Sequence, residues 1–444
     1  MLRKRWPDEV GFGSGTTDVH HLVAVSTSAS SMIWGINTLF LLDAELSIGE
    51  AFAANAFFTV GMVLFEVPTG VVADTVGRRM SYLLGAATLV GSTLLYLLLW
   101  QTSAPFAAWA GASILLGLGF TFFSGATEAW LVDGLNATGY RGSLEAAFAK
   151  GQIANGIAML GGSIGGGLLA QWTNLGVPYL VRAVLLGLTF VVAWRSMRDV
   201  GFAPKPRVSI TSEMRGILRA SLDHGLLNPP VRWLMLAAPV GAGISVYGFY
   251  AAQPYLLQLY GSSDSYAIAG LSAGLVAGAQ IAGGASASVV ARAFRRRTSV
   301  LLITSGVSAV ALLVMGLVAS FWMALAALAV WGVMFAAAMP VRQALINGLI
   351  PSAQRATVLS SDSLLGSAGG VVIQPALGKA ADAWSYGPAY LISAGLQLLA
   401  LPLIFLARRE RATSDSLSVA PAVLLEDRRR GGGRHADQGE AGAA

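Results

Sequence analysis

A chain of 444 residues that is 55% apolar and only 12% charged, with a mean hydropathy of +0.64, suits a hydrocarbon solvent, since soluble domains carry about a quarter charged residues. Its net charge of +6 comes from basic residues scattered between apolar runs, which excludes the concentrated basic stripe of a nucleic-acid-binding face. The chain has no cysteine, and its histidines (His20, His21, His224 and His435) lie outside the apolar runs, so neither a disulfide nor a thiolate or histidine metal cluster is expected.

At the start of the chain, Arg3, Lys4 and Arg5 are followed by Trp6, Pro7, Asp8 and Glu9. No cleavable signal peptide is expected there. Apolar windows follow at 22–42, 50–73, 80–100, 105–131, 147–171, 177–197, 231–258, 264–291, 298–318, 321–346, 356–380 and 386–407. Each can cross a hydrocarbon core about 30 Å thick as a helix of roughly 20 residues, the form that satisfies its own backbone in lipid. The alternating ten-residue segments of a membrane barrel are absent from the sequence. The loops at 74–79, 132–146, 198–230, 292–297 and 347–355, with the tail after 407, hold nearly all the basic residues, and only Arg182 and Lys379 fall in an outer half. The positive-inside rule then places those loops and both termini in the cytoplasm, as in a multi-pass protein of a bacterial inner membrane.

The longest interruption divides the windows six and six. The expected organisation is a first bundle over 1–197, a cytoplasmic linker over 198–230, a second bundle over 231–407 and a disordered polar tail over 408–444. In the linker, Ile210, Met214, Ile217, Leu218 and Leu222 recur at helical spacing, either for a helix on the membrane surface or for one packed under the bundles. The halves also echo each other. EAWLVDGLNATGYRGSL follows the fourth window and RQALINGLIPSAQRATV the tenth, placing Asp133 over Asn347, Gly134 over Gly348, Leu135 over Leu349 and Arg141 over Arg355. Parallel repeats of this kind characterise many secondary transporters, whose binding site lies between the halves.

After the second window the chain reads FEVPTGVVADTVGRRM, in which Gly70, Asp74, Gly77, Arg78 and Arg79 spell G-x-x-x-D-x-x-G-R-R. This resembles the loop-two motif of the major facilitator superfamily, G-x-x-x-D-(K/R)-x-G-R-(K/R), with Thr75 in place of the first basic residue. The resemblance spans about residues 20 to 407. It implies an all-α integral membrane protein with twelve transmembrane helices in two six-helix bundles. It also implies that Asp74 latches onto the start of the eleventh span, where Ser360, Ser361, Ser363, Gly366, Ser367, Gly369 and Gly370 leave a thin surface. Such a cytoplasmic gate would include Asp133, Arg141 and Arg355, with Glu128 mainly in gating. The second half carries Arg342 and Asn347 where the family has acids. The plainer alternative for Asp74 and Arg78 is anchoring at the membrane edge. In the fifth window, Gly161, Gly162, Ser163, Ile164, Gly165 and Gly166 resemble the G-P-x-x-G-G element of drug/proton antiporters, with glycine in place of proline. Close helix packing alone would use the same residues.

Glu66 shares one helical flank with Gly70 and Asp74. An intramembrane carboxylate is costly unless it is protonated or paired, so Glu66 is read either as a proton-binding residue or as a structural hydrogen-bonding group, and Glu128 is the second proton-coupling candidate. The seventh window, VYGFYAAQPYLLQLY, offers Tyr250 and Gln253 as substrate contacts beside the helix-loosening Pro254. Asn37 and Gln280 are further substrate candidates. Arg182, Arg342 and Asp362 each need a partner or water. The combined expectation is a proton-coupled secondary transporter exporting small amphipathic organic compounds, with an importer as the alternative and a receptor or membrane enzyme as remoter ones. Without a G-x-x-x-x-G-K-S/T loop, the expected energy source is the proton gradient, with no cofactor. The expected partners are the lipid bilayer, a small-molecule substrate and protons, with no nucleic acid and no obligate protein partner. No convergent nucleophile, base and metal set suggests an enzyme.

Overall fold

The computed structural model describes residues 24–137, 144–204, 215–216, 219, 221–350 and 355–417. Helices α1 (24–31), α2 (Asn37–Asp43), α3 (Ile48–Thr75), α4 (Arg78–Gln101), α5 (Phe106–Ala137), α6 (Leu144–Trp172) and α7 (Gly176–Ser196) make the first half. The second comprises α8 (Pro229–Tyr260), α9 (Tyr266–Arg292), α10 (Arg297–Leu317), α11 (Phe321–Asn347), α12 (Arg355–Trp384) and α13 (Tyr386–Arg409). Ten of these helices are long and apolar enough to cross a membrane. The remaining two crossings depart from a simple apolar helix. α12 has the length, 30 residues, but carries Asp362, Gln374, Lys379 and a run of serines. The first crossing, expected as one helix over 22–42, is split into α1 and α2 by a turn at 32–36.

Within the first half α3 and α4 pack on α5, and α4 packs on α7. Within the second, α8 packs on α12 and α13, α9 on α11, and α10 on α11 and α13. The main contacts between halves are α3 with α12, α6 with α9, and α2 with α8. Lipid tails are as apolar as side chains, so helix association here depends on close approach. A methyl added at Gly61 would lie 2.4 Å from the Ile114 carbonyl oxygen, and one at Gly117 2.4 Å from that of Phe58. The α3–α5 contact therefore requires both glycines. Each half has its own apolar core, around Phe40, Trp109 and Tyr179 in the first and around Tyr247, Leu312 and Tyr390 in the second.

The folded chain extends past the expected boundary at 407. α13 ends at Arg409, and a 3₁₀ turn at Thr413–Asp415 returns the chain to the α9–α10 loop. The buried Asp415 carboxylate accepts hydrogen bonds from the Thr298 N–H (2.7 Å) and hydroxyl (2.8 Å), capping α10. The Leu417 N–H donates to Arg295 O at 2.9 Å. A boundary drawn at the last apolar residue misses a polar segment held by capping. Of the expected linker helix, Ile210, Met214, Ile217 and Leu218 lie outside the described residues. Ser221–Leu226 forms a π-helical turn against α8 and α12.

Candidate functional site

The end of the molecule carrying Arg78, Arg79 and the α9–α10 loop is called here the basic end, and the opposite one the far end. A cavity of about 700 Å³ lies between the halves. Its wall in the second half runs from Tyr250 on α8 down to Leu234, and along Ala338 to Ile346 of α11 and Leu359 to Gly370 of α12, all toward the basic end. In the first half it is lined by Trp34, Asn37, Asn55, Phe58, Thr59, Met62, Tyr96 and Arg182.

The cavity is blind at the far end because a split helix and a proline-containing one complete each other. In a regular helix the Thr38 N–H would meet the Trp34 carbonyl. Instead the Gln253 amide is inserted between them, with Nε2 donating to Trp34 O at 2.5 Å and Oε1 accepting from Thr38 N at 3.2 Å. In α8, Pro254 cannot donate to the Tyr250 carbonyl, and the Thr38 hydroxyl donates to that oxygen at 3.0 Å. Every backbone group freed in lipid needs such a partner. This explains the split of the first crossing, since the insertion of a side chain from the other half holds it open. Beside it, a methyl at Gly35 would stand 2.9 Å from Gly270 Cα, and one at Gly167 2.6 Å from the same atom. The glycine-rich element of α6 serves this packing. Gly162 and Gly166 accommodate the Ser28–Met32 backbone, Gly167 meets the other half, and Gly161 and Gly165 face open space.

A second far-end contact joins α12 to α3. The Asp382 carboxylate accepts from the Ile48 and Gly49 N–H groups, both at 2.8 Å. It is a charged cap on a helix N-terminus supplied by the other half.

At the basic end the loop-two residues pair within their own half. Arg78 donates to Asp74 at 2.6 Å and to Asp133 at 3.4 Å, and lies over the Phe202 ring. Gly77 holds φ +130°, and a methyl there would fall 2.4 Å from the Asp199 carboxylate, which caps the Arg79 N–H. The Arg79 guanidinium donates to Trp194 O at 2.5 Å. Gly70 faces open space. Arg355 is exposed and forms no ion pair among the described residues. Arg141 lies outside the described residues, as does the Glu128 side chain. Glu66 is exposed, one turn past the lining residue Met62 toward the basic end, on the stripe that continues Asn55, Thr59 and Met62.

The four substrate candidates separate. Asn37 and Tyr250 line the main cavity. Gln253 is wholly buried and committed to the helix break. Gln280 lines a neighbouring pocket of about 250 Å³ with Trp34, Met159 and Phe249. The structure adds residues that the sequence pattern did not single out as site residues. Asp362 and Arg342 form a two-pronged ion pair on the cavity wall, both bonds 2.6 Å, and Arg342 also donates to Leu234 O at 3.1 Å. Their positions 20 apart on different helices gave no local signal. Among the described residues, no group of three or more histidine, aspartate or glutamate side chains could hold a metal.

A helical membrane fold of two six-helix halves around one shared cavity defines a transporter class. The family model of the Major Facilitator Superfamily matches residues 22–295 and 242–431, and the chain belongs to that superfamily. No curated protein matches by sequence. Among solved structures, the chain is similar to the nucleoside transporter NupG (TM-score 0.74, 10% identity, covering 89% of this chain and 99% of that one). It is also similar to a bacterial homolog of the human lysosomal transporter Spinster in an inward-facing and occupied conformation (TM-score 0.70, 14% identity, 93% and 100%). A third is a POT family transporter in complex with a thioalcohol-conjugated peptide (TM-score 0.66, 13% identity, 91% and 97%).

Proposed function

We propose that this chain is a proton-coupled secondary transporter that exports small amphipathic organic compounds across a bacterial inner membrane by alternating access. The supporting observation is the cavity of about 700 Å³, sealed at the far end by contacts between halves and reaching toward the basic end. With the basic end in the cytoplasm, this is the state that loads substrate from inside. Its lining is mostly apolar, with Phe58, Met62, Phe120, Met334 and Phe335 beside a few polar groups, and the volume suits a drug-sized molecule. Glu66, at the mouth on the cavity stripe, is the proposed proton-binding residue, with Glu128 the second candidate. In the outward-open state Asp74 would move from its own half to the start of α12, so the basic-end and far-end caps would alternate.

The test is reconstitution in liposomes with an imposed pH gradient and a screen of dyes and antibiotics. Accumulation against the direction of proton flow is expected, and Glu66→Gln should abolish uphill transport while sparing downhill exchange. Accumulation only in the direction of proton flow would replace export by import. Unchanged uphill transport in Glu66→Gln would remove that residue from the mechanism.

A further inference from the structure

Among the described residues three charged side chains line the cavity, and two of them, Arg342 and Asp362, neutralise each other. The third, Arg182, does not. It lies on α7 about 9 Å from the far end, six residues into the helix. It is 1% exposed, and its Nε and Nη2 atoms are buried without a hydrogen-bond partner. Its electrostatic neighbours are Tyr96, Tyr179 and Tyr250, with no carboxylate among the described residues. An isolated guanidinium at such depth is expensive, and it lines the larger of the two cavities described.

A hydrogen-bond relay places a second donor at the same depth. The Tyr179 hydroxyl donates to Asn37 Oδ1 at 3.0 Å, and Asn37 Nδ2 donates to Asn55 Oδ1 at 3.0 Å. With the relay running from Tyr179 through Asn37 to Asn55 Oδ1, the atom left over is the donor Asn55 Nδ2, and it is buried without a partner. Asn55 lies seven residues into α3, about 10 Å from the far end. The blind end of the cavity is thus lined by two residues that carry buried, unpartnered donor groups, one of them cationic.

We infer that Arg182 and Asn55 form an anion-binding site and that the transported compound is an amphipathic organic anion, its carboxylate on Arg182 and its apolar body along the phenylalanine and methionine wall. The transported identity rests on the proposed transport function. Binding itself needs neither proton coupling nor a direction.

The test is equilibrium dialysis of the full-length protein in detergent against two matched pairs, 1-naphthaleneacetate with its neutral amide and octanoate with octanamide, partition into empty micelles being subtracted. Each acid should bind about tenfold or more tightly than its amide, the scale of a charged hydrogen bond. Arg182→Gln should bring the acid down to the level of the amide, Arg182→Lys should keep part of the preference, and Asn55→Asp should repel the acid. The comparison within the native protein holds even if a variant misfolds. Equal binding of acid and amide, binding of neither, or a preference that survives Arg182→Gln would overturn the inference. So would displacement of the acid by millimolar chloride, which would identify an inorganic anion site. Acid-selective binding without proton-driven transport would leave this inference standing and remove the proton-coupled reading. Proton-driven transport of neutral or cationic compounds alone would do the reverse.

Discussion

The Asp382 carboxylate accepts the Gly49 N–H at 2.8 Å, so the C-terminal end of α12 in one half caps the N-terminus of α3 in the other. Gly378-x-x-x-Asp382 repeats the spacing of Gly70-x-x-x-Asp74, and the two helices run antiparallel, with Gly49 beside Lys379, Phe52 beside Gly378 and Thr59 beside Gly370. Extending that register brings Asp74 opposite Arg355. The α3–α12 pair therefore has an acidic residue near each end, and the far-end one, Asp382, spans the halves in this conformation. Asp382→Asn should weaken far-end closure by about 1 kcal/mol, as for other charged caps. With no native cysteine, a single Thr59→Cys reporter in the cavity wall reads this directly. An impermeant thiol reagent applied outside intact cells should modify it several-fold faster in the Asp382→Asn background, and an unchanged rate would show that the cap does not hold the gate.

Gln253 supplies both hydrogen bonds missing from the α1–α2 break. Gln253→Leu leaves two buried backbone groups unpaired, at about 1–3 kcal/mol each. Purified Gln253→Leu should unfold several degrees below the native protein in a detergent melt, whereas Gln280→Leu, at an exposed position, should melt close to it. Equal shifts would mean that the break is held by packing alone.

The Arg342–Asp362 pair is mostly shielded from solvent, with side chains 21% and 10% exposed. Removing one partner leaves the other charged in an apolar wall. Arg342→Gln and Asp362→Asn should each destabilise the protein, and the double substitution should cost less than the sum of the two, with a coupling of about 1–3 kcal/mol in a double-mutant cycle. Strict additivity would show that the two charges do not depend on each other.

The twelve crossings, the six-and-six division and the loop-two motif were legible because each is written in contiguous residues, as a run of about twenty apolar side chains or a ten-residue pattern. What escaped depends on partners distant in sequence. The run 22–42 reads as one helix, and only an amide 215 positions away from Thr38 opens it. Gln253 looked like a substrate contact because it is polar within an apolar helix, which is equally the signature of a residue that repairs another helix. Arg182 was visible as a buried charge, but its lack of a carboxylate partner among the described residues is a property of three-dimensional neighbours. Asp415 lay in a segment whose composition reads as disordered, and its role as a cap appears only when Thr298 is brought beside it.

The central claim, that the halves rock about one cavity with opposite ends closed in turn, is tested most directly by paired spin-label distances. Cysteines at the exposed positions Val76 and Leu227 report the basic end, and cysteines at Thr102 and Trp384 the far end. Pulsed electron resonance on the reconstituted protein should give two populations at each end. A pH step or Asp382→Asn should shorten the Val76–Leu227 distance as the Thr102–Trp384 distance lengthens. Distances that stay fixed at both ends, or that lengthen together, would contradict it.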